Sequence, residues 1–248
     1  MTPILSIENL TKRYKNGDRN VLDDLNFTVN TGEIYGFLGP NGAGKSTTIK
    51  ILSGLLPYDK GTISIMGMNL NDNREQIKKH IGIVPQDIAI FPTLTGYENL
   101  KIFGGIYGID SKTLKKRILF LLELFGLEEH KNKKVDFYSG GMKRRINLII
   151  GILHEPKLLL LDEPTVGIDV QSKNVILENL KVLNSKGTTI LYTSHNMDEA
   201  EQFCSKVGIV DEGKIITEGT PSELISKSPD YTNLESVYLK LTGKQLRD

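Results

Sequence analysis

The sequence of 248 residues predicts an α/β fold. Runs rich in β-branched and aromatic residues alternate with runs of helical spacing along most of the chain. One run typical of a buried strand, EIYGFLG, leads directly into a glycine-rich turn and a helical run. Apolar residues make up 39% and charged residues 25%, the balance of an ordinary globular protein. The length is ample for a hydrophobic core.

The elements follow in order along the chain. Candidate strands are ILSIENL (4–10), LNFTVN (25–30), EIYGFLG (33–39), GTISIMG (61–67), IGIVPQ (81–86), KLLLLDEP (157–164), TTILYTS (188–194) and KVGIVDEG (206–213). Helical spacing appears at KSTTIKILSGLL (45–56) and KTLKKRILFLLELFGL (112–127), and again from Thr220 onwards. Because β-branched residues become sparse over 87–137, this segment is predicted to be a helical insertion.

Charge, cysteine content and hydropathy argue against a nucleic-acid-binding, a disulfide-bonded or a membrane-spanning protein. Lys and Arg total 31 against 30 Asp and Glu, so the net charge of +1 does not favour nucleic acid as a partner. The single cysteine, Cys204, rules out an internal disulfide and fits a reducing compartment. No apolar run is long enough to span a membrane, and the N-terminus lacks the basic region of a signal peptide. We therefore expect a cytoplasmic protein.

The stretch GPNGAGKST matches the phosphate-loop pattern G-x-x-x-x-G-K-[ST]. Its glycines let successive backbone N–H groups point at phosphate oxygens, and the helix that opens at Lys45 adds its positive dipole end. Lys45 can reach the β- and γ-phosphates of a nucleotide, and the Ser46 hydroxyl can ligate Mg²⁺. The predicted phosphate-binding residues are Gly39, Pro40, Asn41, Gly42, Ala43, Gly44, Lys45, Ser46 and Thr47.

A second motif, LLLLDEP, consists of a candidate strand that ends in two adjacent carboxylates. Its four leucines predict a strand that is buried on both faces. Asp162 lies at the carboxyl end of the strand, where open α/β sheets bind ligands, and can hold Mg²⁺. Glu163 can orient or deprotonate an attacking water. The alternative for Glu163 is a capping or surface acid, but in a chain with a phosphate loop we interpret it as catalytic.

The order of these motifs resembles the ATP-binding subunit of an ABC transporter of the bacterial exporter type. The matching segments are the phosphate loop, Gln86 in IGIVPQ, the helical segment, YSGGM (138–142), LLLLDEP, VGID (166–169) and His195 in TSHNMDEA. The resemblance implies a P-loop NTPase core with an antiparallel β subdomain, a helical insertion and a short C-terminal helical tail. It implies a domain over 1–220, a helical subdomain at about 87–155 within it, and a helical extension over 221–248.

The segment YSGGM, which we call the signature segment, departs from the common family form Leu-Ser-Gly-Gly-Gln at both ends. The resemblance implies that Ser139, Gly140 and Gly141 close on the γ-phosphate of ATP held by a second copy, in a head-to-tail homodimer. The basic run 143–145 follows in the first helical turn, against the usual dipole preference. An anion from outside would explain this run; the alternative is a solvated basic face.

Further positions take roles from the same resemblance. Tyr14 in LTKRYKNG is similar to the aromatic residue that stacks on adenine, the alternative being a core tyrosine at a strand end. Gln86 is similar to the residue that senses Mg²⁺ and the attacking water and relays this to the membrane partner. His195 would hydrogen-bond the γ-phosphate, and Asp169 would lie in the loop that crosses the dimer interface.

The resemblance implies an ATPase that uses ATP and Mg²⁺ to power transport through a separate transmembrane permease. The protein would lie peripherally on the inner face of the cell membrane, with the helical insertion gripping the permease. The tail stretches KIITEGTPSEL and ESVYLKLTGKQLRD are similar to the ends of drug, polysaccharide or lipid exporter subunits. An importer subunit is the alternative. A soluble ABC-type translation factor or DNA-repair clamp fits less well, because such chains carry two domains or long coiled coils.

Overall fold

The structure, a computed structural model, describes residues 2–15 and 17–243. Its alternating strands and helices confirm the predicted α/β class. The strands are β1 (Pro3–Arg13), β2 (Asn20–Asn30), β3 (Ile34–Leu38), β4 (Lys60–Ile65), β5 (Met68–Asn69), β6 (Ile81–Val84), β7 (Leu158–Asp162), β8 (Thr189–Ser194), β9 (Lys206–Asp211) and β10 (Lys214–Gly219). The helices are α1 (Lys45–Leu52), α2 (Arg74–Lys78), α3 (Gly96–Ile106), α4 (Ser111–Leu124), α5 (Gly140–Ile152), α6 (Val170–Ser185), α7 (Met197–Phe203), α8 (Pro221–Ser226) and α9 (Leu234–Thr242).

The described chain divides into two compact units. The first unit contains the chain up to Lys78 and again from Thr189, and the second unit is Lys79–Thr188. The second unit therefore includes β6, β7 and α6 as well as the helices of the predicted insertion. The predicted domain limits of 1–220, about 87–155 and 221–248 stay a prediction, and residues 244–248 lie outside the described chain.

Two groups of strands build the first unit. One is an antiparallel sheet in the order β2-β1-β4-β5. In the other, β3 lies parallel to both β8 and β9, and β10 pairs antiparallel with β9. Phe27 of β2 stacks on Tyr35 and Phe37 of β3, with ring centroids 5.3 and 5.2 Å apart. These buried aromatic side chains form a core in which β3, the strand before the phosphate loop, has every residue buried.

In the second unit, the helix α5 packs closely on β6, which pairs in parallel with β7. A Cβ at Gly82 of β6 would lie 2.1 Å from the carbonyl oxygen of Gly151, and a Cβ at Gly151 would lie 2.7 Å from a methyl carbon of Val84. Only glycine permits this approach of helix and strand. The predicted burial of the leucine strand on both faces is confirmed, since every residue of β7 is buried.

One predicted helix is shorter than expected, and one strand is additional. The helix predicted over 45–56 ends at Leu52, because Gly54 adopts φ +74° and the backbone N–H groups of Gly54 and Leu55 turn back onto carbonyls of the last turn. The strand β10 was not predicted. The two-residue turn of Glu212 and Gly213, with φ of +47° and +78°, joins it to β9 as a hairpin.

The C-terminal helices α8 and α9 belong to the first unit. A capping box of Thr220 and Glu223 begins α8, and Asn233 caps α9. The helix α9 packs on α7, and the backbone N–H of Leu234 donates to Glu201 at 3.0 Å. The helical character predicted from Thr220 is therefore present as far as the described chain extends.

Candidate functional site

The phosphate loop connects the buried strand β3 to the start of α1 at Lys45. Its glycines are required for different structural reasons, close packing at two positions and a left-handed backbone at a third. A Cβ at Gly39 would lie 2.2 Å from the Val210 carbonyl oxygen, and a Cβ at Gly44 would lie 2.5 Å from a Leu22 methyl carbon. Gly42 has φ +83° and open space within 4 Å of its missing side chain. The loop is therefore packed on its own unit at both ends and open to a ligand at Gly42.

Lys45 is held inside the loop that it follows. It is buried, and its Nζ donates to the carbonyl oxygens of Gly39 at 2.8 Å and Pro40 at 3.0 Å. These two bonds place the ammonium against the curled backbone, where a phosphate cradled by the loop N–H groups would meet it. The geometry fits the predicted phosphate-binding role.

The β9–β10 turn braces the loop from one side. The N–H of Gly213 donates to the Ala43 carbonyl oxygen at 3.2 Å, and the Gly213 carbonyl accepts from the N–H of Asp23 at 3.1 Å. Lys214 pairs with Asp23 at 2.8 Å, and this hydrogen bond lowers the pKa of the Asp23 carboxyl. A cavity of about 510 Å³ opens between this turn and the loop residues from Pro40 to Ala43. Gly213 therefore holds the phosphate loop, a contact that the sequence motifs did not predict.

Tyr14 lies beside the phosphate loop with 41% of its surface exposed. Its hydroxyl lies 3.3 Å from the Thr47 hydroxyl oxygen. Asp59 holds the preceding strand end, accepting from the backbone N–H of Arg13 at 2.6 Å and from Lys12 at 3.3 Å. The alternative of a core tyrosine is therefore wrong, and the exposed ring is available for stacking.

His195 follows β8 on the same side of the first unit as the loop. The carbonyl oxygen of Ser194 accepts the N–H of Gly39 at 3.2 Å, so the residue before His195 is bonded to the first loop residue. Asn196 then caps α7 through the Glu199 N–H. The structure thus brings Tyr14, the phosphate loop and the His195 segment together within one unit.

In the second unit, Asp162 and Glu163 lie at the carboxyl end of β7 and are each 5% exposed. Glu163 has φ +48°, a left-handed conformation that is uncommon for a residue with a side chain. Such backbone strain concentrates at functional sites. The surface-acid alternative for Glu163 is wrong, because the residue is buried.

The signature segment begins α5. Ser139 is its N-cap, and the Ser139 hydroxyl oxygen accepts the Met142 N–H at 3.2 Å. Ser139 and Gly140 are exposed, and nothing lies within 4 Å of the missing Gly140 side chain. A Cβ at Gly141, however, would lie 2.0 Å from the Ser172 hydroxyl oxygen. Ser139 and Gly140 can therefore meet a ligand, whereas Gly141 is required for the packing of α5 on α6.

Both interpretations of the basic run after the signature segment are wrong for two of its three residues, Arg144 and Arg145. Arg144 is buried and donates to the carbonyl oxygens of Gln86 at 2.7 Å and Pro85 at 3.3 Å. Arg145 donates to the Phe125 carbonyl oxygen at 2.8 Å. These guanidinium groups bind carbonyls of their own unit, so they form neither a solvated face nor a site for an incoming anion.

Gln86 itself is exposed on the loop after β6, and only its backbone is anchored by Arg144. Burial lowers the pKa of the Arg144 guanidinium, and the negative charges of Asp87, Asp162 and Glu163 offset part of this effect. The second unit thus gathers Gln86, Asp162 and Glu163 around Arg144. Sequence reasoning missed Arg144 as an internal anchor.

The family model described as "ABC transporter" matches residues 22–166. This range contains the phosphate loop, the signature segment, Asp162 and Glu163. The chain belongs to the ABC transporter family. As a member of this family it is an ATP-binding subunit and an ATPase, and its fold is the ABC ATPase fold.

Two ABC relatives show how far the likeness extends. The chain is 48% identical over 224 residues to the linearmycin resistance ATP-binding protein LnrL of Bacillus subtilis (strain 168), covering 90% of this chain and 71% of the relative. It is 42% identical over 225 residues to the Nod factor export ATP-binding protein I of Ralstonia nicotianae, covering 91% and 70%.

Solved ABC structures match nearly the whole chain. The structure of an ATP-binding subunit of an ABC transporter superposes with a TM-score of 0.86 at 32% identity, covering 96% of this chain and 99% of that one. A dimeric ATP-binding cassette in a post-hydrolysis state, bound to ADP and phosphate, superposes with a TM-score of 0.79 at 28% identity, covering 87% and 98%. Among the described helices of this ABC subunit, none combines the length and apolar character needed to cross a membrane.

Proposed function

We propose that this ABC subunit powers export through a separate membrane permease, and that Glu163 is the base that activates water for ATP hydrolysis. The observation that carries the catalytic part is the buried, left-handed Glu163 at the end of β7. The export direction is supported by the relatives, one named for resistance to linearmycin and one for export of Nod factor. The cargo class would be a drug, lipid or polysaccharide, as the tail resemblance implies.

The phosphate loop fits the triphosphate of ATP. Gly42 leaves an open approach to the backbone, Lys45 is already oriented by loop carbonyls, and α1 begins at the loop with its unpaired N–H groups. Tyr14 would stack on adenine, a contact worth about 1–3 kcal/mol on nucleic-acid bases. His195 would hydrogen-bond the γ-phosphate.

The predicted metal ligands fit Mg²⁺ chemically. Ser46, Gln86 and Asp162 offer a hydroxyl, an amide and a carboxylate oxygen, the hard donors that Mg²⁺ prefers together with phosphate oxygens and water. When bound, Mg²⁺ neutralises charge that develops on the phosphates. Glu163 takes the proton of the attacking water, while Gln86 and His195 orient the water and the γ-phosphate for in-line attack.

The second half of the site is supplied by another copy. Ser139 and Gly140 are exposed at the start of a 13-residue helix, so a hydroxyl and unpaired N–H groups face outwards. An anion held by a second subunit is the ligand that this helix start prefers. ATP would therefore close a head-to-tail homodimer, and hydrolysis would open it, as a shift of population between two states. The dimeric cassette among the structural neighbours supports this assembly.

The variant Glu163→Gln tests the catalytic role. It should keep ATP affinity, accumulate an ATP-dependent dimer and lose turnover by about a hundredfold or more. Glu155→Gln is the matched control, because Glu155 is also a left-handed glutamate of the second unit, with φ +55°. Steady-state turnover and size-exclusion chromatography with ATP measure both effects. Normal turnover in Glu163→Gln would remove it from the base role, and turnover per chain that stays constant with protein concentration would remove the dimer.

The permease would dock on an exposed apolar surface of the second unit. This docking surface comprises Ile88, Phe91, Ile102, Ile106 and Tyr107, each at least 36% exposed. The buried side chain of Asn99 on α3 holds the Phe91 part of this surface in place. It accepts the Phe91 N–H and donates to the Phe91 carbonyl oxygen. Ile88 and Phe91 follow Gln86 on the same loop, so a membrane subunit that covers these exposed side chains would sense the nucleotide state through Gln86. The protein would then lie on the cytoplasmic face of the membrane.

Affinity purification from detergent-solubilised cells tests the docking surface. The wild-type chain should retain a multi-span membrane protein, and the pair Phe91→Ser and Ile106→Ser should lose it. Leu55→Ser is the control, because Leu55 is 76% exposed in the first unit and lies outside the docking surface. Retention of the same membrane protein by all variants would place the permease elsewhere, and its absence from the wild-type sample would favour a soluble ABC ATPase.

A further inference from the structure

The buried side chain of Arg144 joins three separate segments of the second unit. It projects from α5 soon after the signature segment and is 5% exposed. Its Nη1 donates to the carbonyl oxygens of Gln86 and Pro85, and its Nη2 lies 3.5 Å from the Val166 carbonyl oxygen. One guanidinium therefore links the signature helix to the Gln86 loop and to the segment that follows Glu163.

Asn147 repeats this contact one turn later on the same face of α5. It is 3% exposed, its Nδ2 donates to the Pro85 carbonyl oxygen at 3.3 Å, and its Oδ1 accepts the Ala89 N–H at 3.4 Å. Burying polar groups is costly unless they are hydrogen-bonded, and an apolar residue would fill the same space. Two buried polar side chains at this spacing indicate that the loop from Pro85 to Ala89 is held by directed bonds.

The charge of Arg144 also has a specific setting. An arginine stays protonated in proteins, so its burial requires countercharge nearby. Burial lowers the pKa of Arg144, and the charges of Asp87, Asp162 and Glu163 act against this effect. The Nε atom of Arg144 has no hydrogen-bond partner within the described chain. The guanidinium is thus anchored by carbonyl oxygens at its two terminal nitrogens.

We propose that Arg144 is a positioning residue for ATP hydrolysis, which fixes the Gln86 loop and the Glu163 segment relative to the signature helix. A displacement of the loop at the docking surface would then move Ser139, because Ser139 caps the same continuous helix that carries Arg144 and Asn147. The proposal rests on the proposed function, since Glu163 and Ser139 take their roles from it. It adds the physical link between them.

The test compares Arg144→Met with Arg144→Lys in the full-length chain. Arg117→Met is the matched control, because Arg117 also donates to a backbone carbonyl in the second unit, that of Leu153, at 3.1 Å. The measurements are kcat and KM for ATP, and the affinity of the isolated subunit for a fluorescent ATP analogue. A misplacement of about 1 Å at a reacting centre costs about a hundredfold in rate.

Arg144→Met should lower kcat about tenfold or more while KM and nucleotide affinity stay within about twofold. Arg144→Lys should recover part of kcat, because lysine restores the charge but not the planar fork of donors. Arg117→Met should keep wild-type kcat. A purely structural role would instead change stability and kcat alike in Arg144→Met and Arg117→Met.

Unchanged kcat in Arg144→Met, an equal loss in the Arg117 control, or a loss confined to nucleotide affinity would overturn the proposal. If Arg144→Met does not fold, the kcat and nucleotide affinity of Arg144→Lys are judged by the same criteria. If Arg144→Lys does not fold either, Asn147→Leu, which loses the neighbouring bonds to the same loop, is judged in the same way. Glu163→Gln tests the proposed hydrolysis mechanism independently of the positioning role of Arg144. An ATP-trapped dimer in Glu163→Gln together with full turnover in the Arg144 variants refutes the positioning role alone.

Discussion

The contact of Gly141 with Ser172 predicts that two adjacent glycines of the signature segment differ in what they tolerate. A Cβ at Gly141 would lie 2.0 Å from the Ser172 hydroxyl oxygen and 2.6 Å from the Ser172 Cβ. Rotation of the hydroxyl relieves only the first of these contacts. Because carbon atoms pack at about 3.5–4.0 Å, the starts of α5 and α6 would have to separate by about 1 Å in Gly141→Ala.

The expected cost follows from this overlap. Overpacking in a tight core costs about 1–3 kcal/mol, and replacing a helical glycine by alanine returns about 0.5–1 kcal/mol. Gly141→Ala should therefore lower the free energy of unfolding by about 1 kcal/mol, within a range of about 0–2.5 kcal/mol. Gly140→Ala has open space within 4 Å, so it should leave this free energy unchanged or raise it slightly.

Urea unfolding of the two variants, followed by circular dichroism, measures the difference. The double variant Gly141→Ala with Ser172→Gly should recover much of the loss, because it removes the two nearest atoms that the new methyl group meets and leaves only Asp169 Oδ2, at 3.3 Å. In a Glu163→Gln background, Gly140→Ala should weaken ATP-dependent dimerisation without loss of stability, because its methyl group would stand where the partner's phosphate approaches.

Equal unfolding midpoints for Gly140→Ala and Gly141→Ala would refute the packing argument. A double variant that recovers nothing would show that the cost of Gly141→Ala does not come from Ser172. Full dimerisation of Gly140→Ala would leave the packing argument intact and would remove Gly140 from the nucleotide contact.

Three further predictions concern the first unit and one helix cap. Gly213→Ala should weaken ATP binding, measured by nucleotide titration, and should lower the free energy of unfolding by about 1–3 kcal/mol more than Gly67→Ala does, measured by urea unfolding. Both glycines have φ near +75°, but only a Cβ at Gly213 would lie against a carbonyl oxygen, at 2.4 Å. Tyr14→Ala should weaken binding of a fluorescent ATP analogue about tenfold or more, and Tyr14→Phe should not. Hydrogen bonds from Thr113 lower the pKa of Asp110, so the ionised carboxylate stabilises the fold at pH values above its unfolded pKa. In urea unfolding, the wild type should be more stable than Asp110→Asn at neutral pH, and this difference should vanish as the pH falls through the folded pKa. A pH-independent difference would contradict the last of these.

Local patterns predicted much of the fold and of the candidate site. The leucine run of β7 was predicted to be buried because a parallel strand covered on both faces needs apolar residues at every position. The phosphate loop was recognisable because its glycines, lysine and serine lie within nine consecutive residues. The hairpin strand β10 was missed because the turn before it is Glu-Gly, not the Asn-Gly or Asp-Gly that signals a two-residue hairpin, and its sequence was interpreted only as part of the tail.

The basic run after the signature segment shows where local reasoning was insufficient. Helical position alone placed Arg144 at an N-terminus, where a cation is unfavourable, and suggested an external anion. The structure instead directs its guanidinium to the carbonyl oxygen of Gln86, which is 58 positions away in the sequence. Spacing within a helix does not reveal which distant carbonyl groups will lie beside it.

The sequence by itself determined the chemistry of this ABC subunit, because each reactive motif is a short stretch whose backbone and side chains act together. Only the tertiary structure decided which glycine is open and which is packed, that Gly213 braces the phosphate loop, and that Arg144 anchors the loop of Gln86. The physical reason is that these properties depend on atoms brought within a few ångströms by packing, and close packing between distant segments leaves no local pattern in the chain.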